Sequence, residues 1–154
     1  MKSNSTTARL DSLALLGRVL LSLIFIISGV AKIFGWSETL GYMNNQGLPA
    51  PSVLLAAATA IEIIGGLMLL VGYQTRVASA IVFVYLIPVT LVFHDFWSYQ
   101  GQEAQSQMVD FLKNLAILGG LAHVWATGPG AISVDYRMNT TRDTSEERGR
   151  LKAA

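Results

Sequence analysis

The segment VASAIVFVYLIPVTLVF, residues 77–93, decides the fold class. It carries no charge, and its polar side chains are Ser79, Tyr85 and Thr90 alone. A helix on the surface of a soluble bundle shows a polar stripe at a 3.6-residue period, and this segment has none. Its length approaches the ~20 residues that cross a hydrocarbon core. Working outward, three further apolar stretches of similar length occupy residues 13–34, 52–72 and 109–127. The whole chain of 154 residues is 52% apolar and 14% charged, where a soluble domain carries roughly 25% charged residues. The expectation is an all-α integral membrane protein, a bundle of four transmembrane helices. The first stretch exceeds the ~7–15 apolar residues of a signal peptide and no A-x-A-like cleavage site follows it, so it reads as a retained span.

Basic residues set the orientation, because loops rich in Lys and Arg stay cytoplasmic. Lys2 and Arg9 precede the first span, Arg76 lies between the second and third, and Arg137, Arg142, Arg148, Arg150 and Lys152 follow the fourth. The connections 36–51 and 94–108 contain no Lys or Arg, only Glu38, Asp95 and Glu103. Four crossings place all the loop cations on one side, so both termini are expected to be cytoplasmic. The chain then divides into a cytoplasmic N-terminal segment (1–12), a transmembrane domain (13–136) and a basic tail (137–154) whose polarity predicts disorder. The tail cations face anionic lipid in this reading.

Trp36, Tyr42, Trp97 and Tyr99 would mark the outer interface, with Tyr73 and Trp125 at the inner one. Ser37-Glu38 is expected to cap a short interfacial helix ending near Asn45, and Gly128-Pro129-Gly130 to end the fourth span. Helices pack in lipid through small residues, for which Gly17, Ser28, Gly29, Ala56, Ala60, Gly65, Gly66, Gly119 and Gly120 are the candidates. Pro88 is expected to kink the third span and open space near His94.

Ionisable groups at membrane depth are costly and point to function. Arg18, Lys32, Glu62 and Lys113 are such groups. Counting along alternating spans puts Glu62 near the midplane, Arg18 on its cytoplasmic side, and Lys32 and Lys113 on its outer side. Asn114, Asp110 and His94 share the outer level, which implies a polar pocket opening outward. Two readings stand for each. Arg18, Lys32 and Lys113 either snorkel to an interface or serve a ligand. Glu62 is either the buried partner of Arg18 or a lysine, or a proton-accepting carboxylate beside a ligand. His94 either exchanges protons at the boundary or is an ordinary interfacial histidine, and His123 reads as structural.

No cysteine is present, which excludes disulfide, thiolate and Cys-based metal chemistry by this chain alone. No metal-ligand spacing, phosphate-binding loop, dinucleotide fingerprint or nucleophile motif occurs. The basic tail lacks the aromatic platform used for nucleic acid, so none is expected as a partner.

The order of elements resembles one family. Gly17-Arg18, Ser28-Gly29 with Lys32, Tyr42-Met43 before Gly47-Leu48-Pro49, Glu62 before Gly65-Gly66, and Gly72 before Thr75-Arg76 are followed by His94, Lys113-Asn114, Gly119-Gly120 and Thr127-Gly128-Pro129-Gly130 with Ser133 and Asp135. This series is similar to the DoxX family of bacterial inner-membrane proteins, from about Gly17 to Arg137. The resemblance implies a multi-pass inner-membrane location and a four-helix fold. It also implies a link to quinone-dependent oxidoreductases, with the chain as a membrane subunit or partner, quinone as the associated cofactor and the redox centre in another protein. The family's polar positions fall on Arg18, Lys32, Glu62, His94, Lys113 and Asn114. Two other functions fit the same residues: a noncatalytic assembly or scaffold protein, and a small-solute carrier component acting as a homo-oligomer.

Overall fold

The computed structural model describes residues 2–153, and among them every regular element is helical: α1 (Lys2–Phe34), α2 (Trp36–Asn45), α3 (Pro51–Val71), α4 (Thr75–Phe93), a 3₁₀ turn (Phe96–Ser98), α5 (Gly101–Thr127) and α6 (Val134–Ala153). Segments Thr6–Phe34, Pro51–Val71 and Thr75–Ser98 are long and apolar enough to cross a membrane. α5 is 27 residues long, but Glu103, Asp110 and Lys113 lower its hydropathy. α1 packs on α3, α3 on α4, α4 on α5, and α5 returns to α1.

The helices pack through a small core of Phe25, Leu69, Ala78, Val82, Leu86, Leu121 and Val124. Large apolar side chains such as Leu20, Ile27, Val84 and Leu115 lie exposed around it. Apolar side chains therefore face outward as well as inward, which is the surface a lipid bilayer covers. Glycine brings the helices together. A Cβ at Gly29 would lie 2.6 Å from Ile63 Cγ1, and one at Gly66 would lie 2.8 Å from Ile26 Cγ1 and 3.2 Å from the Ser22 carbonyl, so α1 and α3 touch along backbone. Gly65 admits Val82 of α4 in the same way, and Gly120 admits Leu21 of α1. Gly17 and Gly119, expected in the same role, meet nothing within 4 Å.

The sequence reading needs correcting at element ends. α1 begins at Lys2 and α5 at Gly101, well before the apolar stretches, because polar residues continue a helix once it leaves the hydrocarbon. α2 begins at Trp36 behind Gly35 without a side-chain cap, so the expected Ser37-Glu38 cap does not form. The tail expected to be disordered is helical from Val134 to Ala153. Its start is fixed by Ser133, whose hydroxyl accepts the Tyr136 N–H at 3.2 Å, an N-cap that composition alone does not reveal. Arg148, Arg150 and Lys152 lie outside the residues whose side chains are described.

Candidate functional site

Glu62 is carried on the inner face of α3 and is 4% exposed. Its carboxylate meets the Lys32 ammonium, from the last turn of α1, at 2.9 Å through Oε1 and 2.8 Å through Oε2. The ammonium also donates to Ser28 Oγ at 2.7 Å, one turn back on α1. Tyr85 of α4 donates its hydroxyl to Glu62 Oε1 at 2.7 Å. Three helices thus supply one polar cluster. The packing of Gly29 on Glu62 Cβ and Ile63 brings α1 close enough for the pair to form. A carboxylate buried to this degree persists only when paired and hydrogen-bonded.

The cluster lies at a cavity of about 440 Å³, in the range of small-molecule sites. Lys32 and Tyr85 form part of its wall, and Thr39, Tyr42 and His94 another part. The remainder is apolar, supplied by α2, α3 and α4 through side chains such as Met43, Leu55, Ile61, Val89 and Phe93. Pro88 is on the wall beside them. Tyr85 lies within α4 and His94 caps its C-terminus nine residues on, about 13 Å along the helix axis, so these two polar groups enter the wall at separate levels. His94 Nδ1 lies 3.0 Å from Gln107 Oε1.

Of the residues expected from sequence, Lys32, Glu62 and His94 come together here. Lys113, Asn114 and Arg18 do not. Lys113 pairs with Asp110 at 2.6 Å on the surface of α5, and its side chain is 52% exposed. Asn114 is buried in α5 at 6% exposure, and no residue of α5 lines the cavity. The expected polar pocket is therefore mainly apolar, and it is built on α1 to α4. Tyr85 was the residue the sequence reading passed over. Its signal was present, as one of three polar groups in residues 77–93.

Arg18 belongs to a separate cluster. It is 2% exposed and donates to the Pro129 carbonyl and, at 2.8 Å, to the Ile132 carbonyl. It thereby ties α1 to the connection after α5. Asp135, in the first turn of α6, accepts the Gln74 and Thr75 N–H groups at 2.7 and 2.9 Å and the Thr75 hydroxyl at 2.9 Å. It caps α4 from sixty residues away. Among the described residues no group of His, Asp and Glu is arranged to hold a metal ion.

Apolar helices presenting a hydrophobic exterior and enclosing one ion-paired cluster define the class: a multi-pass α-helical membrane protein with a small-molecule-sized cavity. The comparisons make this specific. The family model for DoxX matches residues 13–95, a range that holds every cavity-lining residue. The chain is 33% identical to the inner membrane protein YphA of Escherichia coli over 125 residues, covering 81% of this chain and 89% of YphA. It is 34% identical to the inner membrane protein YqjF of the same organism, covering 81% and 91%. The chain belongs to the DoxX family. It is also 34% identical over 67 residues to CatD of Bacillus subtilis, a protein provisionally named an oxidoreductase, covering 44% of this chain and 48% of CatD. No solved structure matches the chain.

Proposed function

We propose that this chain is a quinone-binding membrane component of an oxidoreductase, with four spans, both termini in the cytoplasm of a bacterial cell and the redox centre in a partner protein. The carrying observation is the apolar cavity with the Lys32–Glu62–Tyr85 cluster at one level of its wall and His94 at another. The residues suit an isoprenoid quinone. Apolar walls accept a ring and the first part of a tail, and the few polar groups accept or orient oxygens. Quinone would supply two-electron chemistry with the partner's redox centre, and the two accompanying protons would pass to or from this chain's residues and water. The chain's own contribution is to exclude water, orient the ring and hold protons. Glu62 is a buried carboxylate that takes the Tyr85 hydroxyl proton in a hydrogen bond, and half-buried His94 is placed to pass protons outward. The partial likeness to CatD supports the redox reading.

α5 supports the fourth span. Its apolar part, residues 109–127, runs alongside α4, and its one ion pair, Lys113 with Asp110, lies a turn inside that part. The distribution of Lys and Arg supports cytoplasmic termini.

The test is to purify the protein in mild detergent and quantify quinone in the extracted lipid against Ala58→Phe, which places a ring in the cavity. The expected result is near-stoichiometric quinone with wild type and at least a tenfold loss with the variant, both proteins having equal helix content. Equal quinone in both, at the level of bulk lipid carry-over, would overturn the reading.

A further inference from the structure

The hydrogen-bonding capacity left on the cavity wall is unequal. An ammonium has three donors, and the Lys32 donors are all committed, to Ser28 Oγ and the two Glu62 oxygens. The Tyr85 hydroxyl proton is committed to Glu62, and the Thr39 hydroxyl proton to the Gly35 carbonyl at 3.0 Å. His94 Nδ1 faces Gln107 Oε1 at 3.0 Å, and in the neutral tautomer that donates to this oxygen Nε2 is an acceptor. Tyr85 keeps an acceptor lone pair on its hydroxyl oxygen. Tyr42 keeps a free donor, and its exposed position allows water to take it. The wall is therefore rich in acceptors and poor in donors.

Its charge is balanced as well. Lys32 and Glu62 neutralise each other at 2.8 Å, and among the described residues no Asp, Glu, Arg or second Lys lines the cavity. An anion entering would meet no uncommitted cation and would lose its hydration in an apolar space. A carbonyl would meet few donors. A neutral group carrying hydroxyls would satisfy acceptors that are otherwise unfilled.

We infer that the cavity selects a neutral, hydroxyl-bearing amphiphile, and so binds the quinol form in preference to the quinone, with the Tyr85 oxygen and His94 Nε2 accepting its hydroxyls. This rests on the quinone-binding reading and fixes its redox form. Tighter binding of the reduced form raises the reduction potential of the bound couple, by about 30 mV for each tenfold preference. The cavity would then hold the reduced carrier.

The protein is reconstituted in lipid nanodiscs and titrated calorimetrically, under anaerobic conditions, with decylubiquinol, decylubiquinone and decanoate, empty nanodiscs providing the baseline. Decylubiquinol is expected to bind at least tenfold more tightly than decylubiquinone, with decanoate weakest. Tyr85→Phe and His94→Phe, checked for unchanged helix content, are expected to reduce the quinol preference in at least one variant to within threefold, while Lys113→Met leaves it intact. Equal or reversed affinity for the two redox forms overturns this inference and leaves the quinone-binding reading standing. So does a preference that survives in both cavity variants, or decanoate binding as tightly as quinol. Absence of binding by both redox forms overturns the two proposals together.

Discussion

The Lys32 ammonium and the Glu62 carboxylate share two contacts, at 2.9 and 2.8 Å, although the residues are thirty positions apart and sit on different helices. Both helices contribute more than the charge. α1 adds Ser28 beneath the ammonium, and the bare backbone of Gly29 lets α3 approach. Removing one member of a buried pair leaves the other uncompensated, a cost of about 3–5 kcal/mol for full burial. Lys32 is 24% exposed, and its stem can carry the charge toward water, so the expected cost is lower. Lys32→Met is expected to destabilise the protein by about 2 kcal/mol and Glu62→Gln by less, since the amide still accepts from Lys32 and Tyr85. The double variant Lys32→Met, Glu62→Leu is expected to regain most of the loss. Thermal unfolding in detergent measures this, with Glu62→Leu alone completing the double-mutant cycle, and additive losses would show that the two groups do not stabilise each other.

Gly66 and Gly119 differ in a way that stability can read. A Cβ on Gly66 enters the backbone of α1, whereas one on Gly119 meets nothing within 4 Å. Gly66→Val is expected to cost at least about 1–3 kcal/mol through overpacking. Gly119→Ala is expected to be neutral or to stabilise by up to about 1 kcal/mol, the difference in helix propensity. Melting temperatures of the two variants decide it, and a comparable loss at both sites would contradict the packing described.

Those glycines also show what the sequence could and could not specify. Hydropathy located α1, α3, α4 and α5 to within a few residues in their apolar parts, because a long apolar stretch satisfies its own backbone as a helix. Small residues were recognisable as packing points, but which of them face a neighbour depends on helix adjacency. Gly29, Gly65, Gly66 and Gly120 lie in interfaces, and Gly17 and Gly119 do not. The candidate site divided for the same reason. Charges at one height were grouped together, yet height along the normal does not say which helices adjoin. Lys113, placed level with Lys32 by counting along the spans, lies on a helix that contributes nothing to the cavity. Lys32, placed above Glu62 by counting Cα positions, reaches it with its flexible stem. The Asp135 cap on α4 bridges sixty residues, and no local pattern announces such a cap.

Arg18 and the connection after α5 provide a third prediction. The guanidinium fork holds the Pro129 and Ile132 carbonyls, and hydrogen bonds to a charged group contribute about 1.5–3 kcal/mol each. A lysine carries the charge without the fork. Arg18→Lys is expected to raise hydrogen exchange and protease cutting within residues 128–135 at least tenfold, with exchange in α3 unchanged. Uniform exchange across the chain, as in wild type, would show that the connection is held by other contacts.

Asp135 should matter through α4 rather than through its own helix. It accepts the N–H groups of the N-cap Gln74 and of Thr75, the first residue of that helix, and the Thr75 hydroxyl, at a helix start that leaves backbone donors unmet. It does so beside Gln74, whose φ of 43° is uncommon outside glycine and asparagine. Asp135→Ala is expected to cost about 1–2 kcal/mol, as loss of a cap does. Asp135→Asn, which retains one acceptor, should lose about half as much. Chemical denaturation in mixed micelles distinguishes the two, and an alanine variant as stable as wild type would show that solvent satisfies those donors equally well.

Lys113 is the sharpest case, since membrane depth and family resemblance both singled it out. Its ammonium pairs with Asp110 three residues earlier at the surface of α5. Pairs of this spacing on a helix contribute about 0.2–0.5 kcal/mol in water. Lys113→Met is therefore expected to shift the melting temperature by no more than about 2 °C and to leave bound quinone at the wild-type level. Lys32→Met should reduce the quinone retained because it disrupts the cavity wall. The opposite pattern, with quinone lost in the Lys113 variant and kept in the Lys32 variant, would move the site to α5 and bring back the pocket expected from sequence. A loss in both would require α5 to approach the cavity when a ligand is bound, and crosslinking between α5 and α2 in the presence of decylubiquinol would detect that movement.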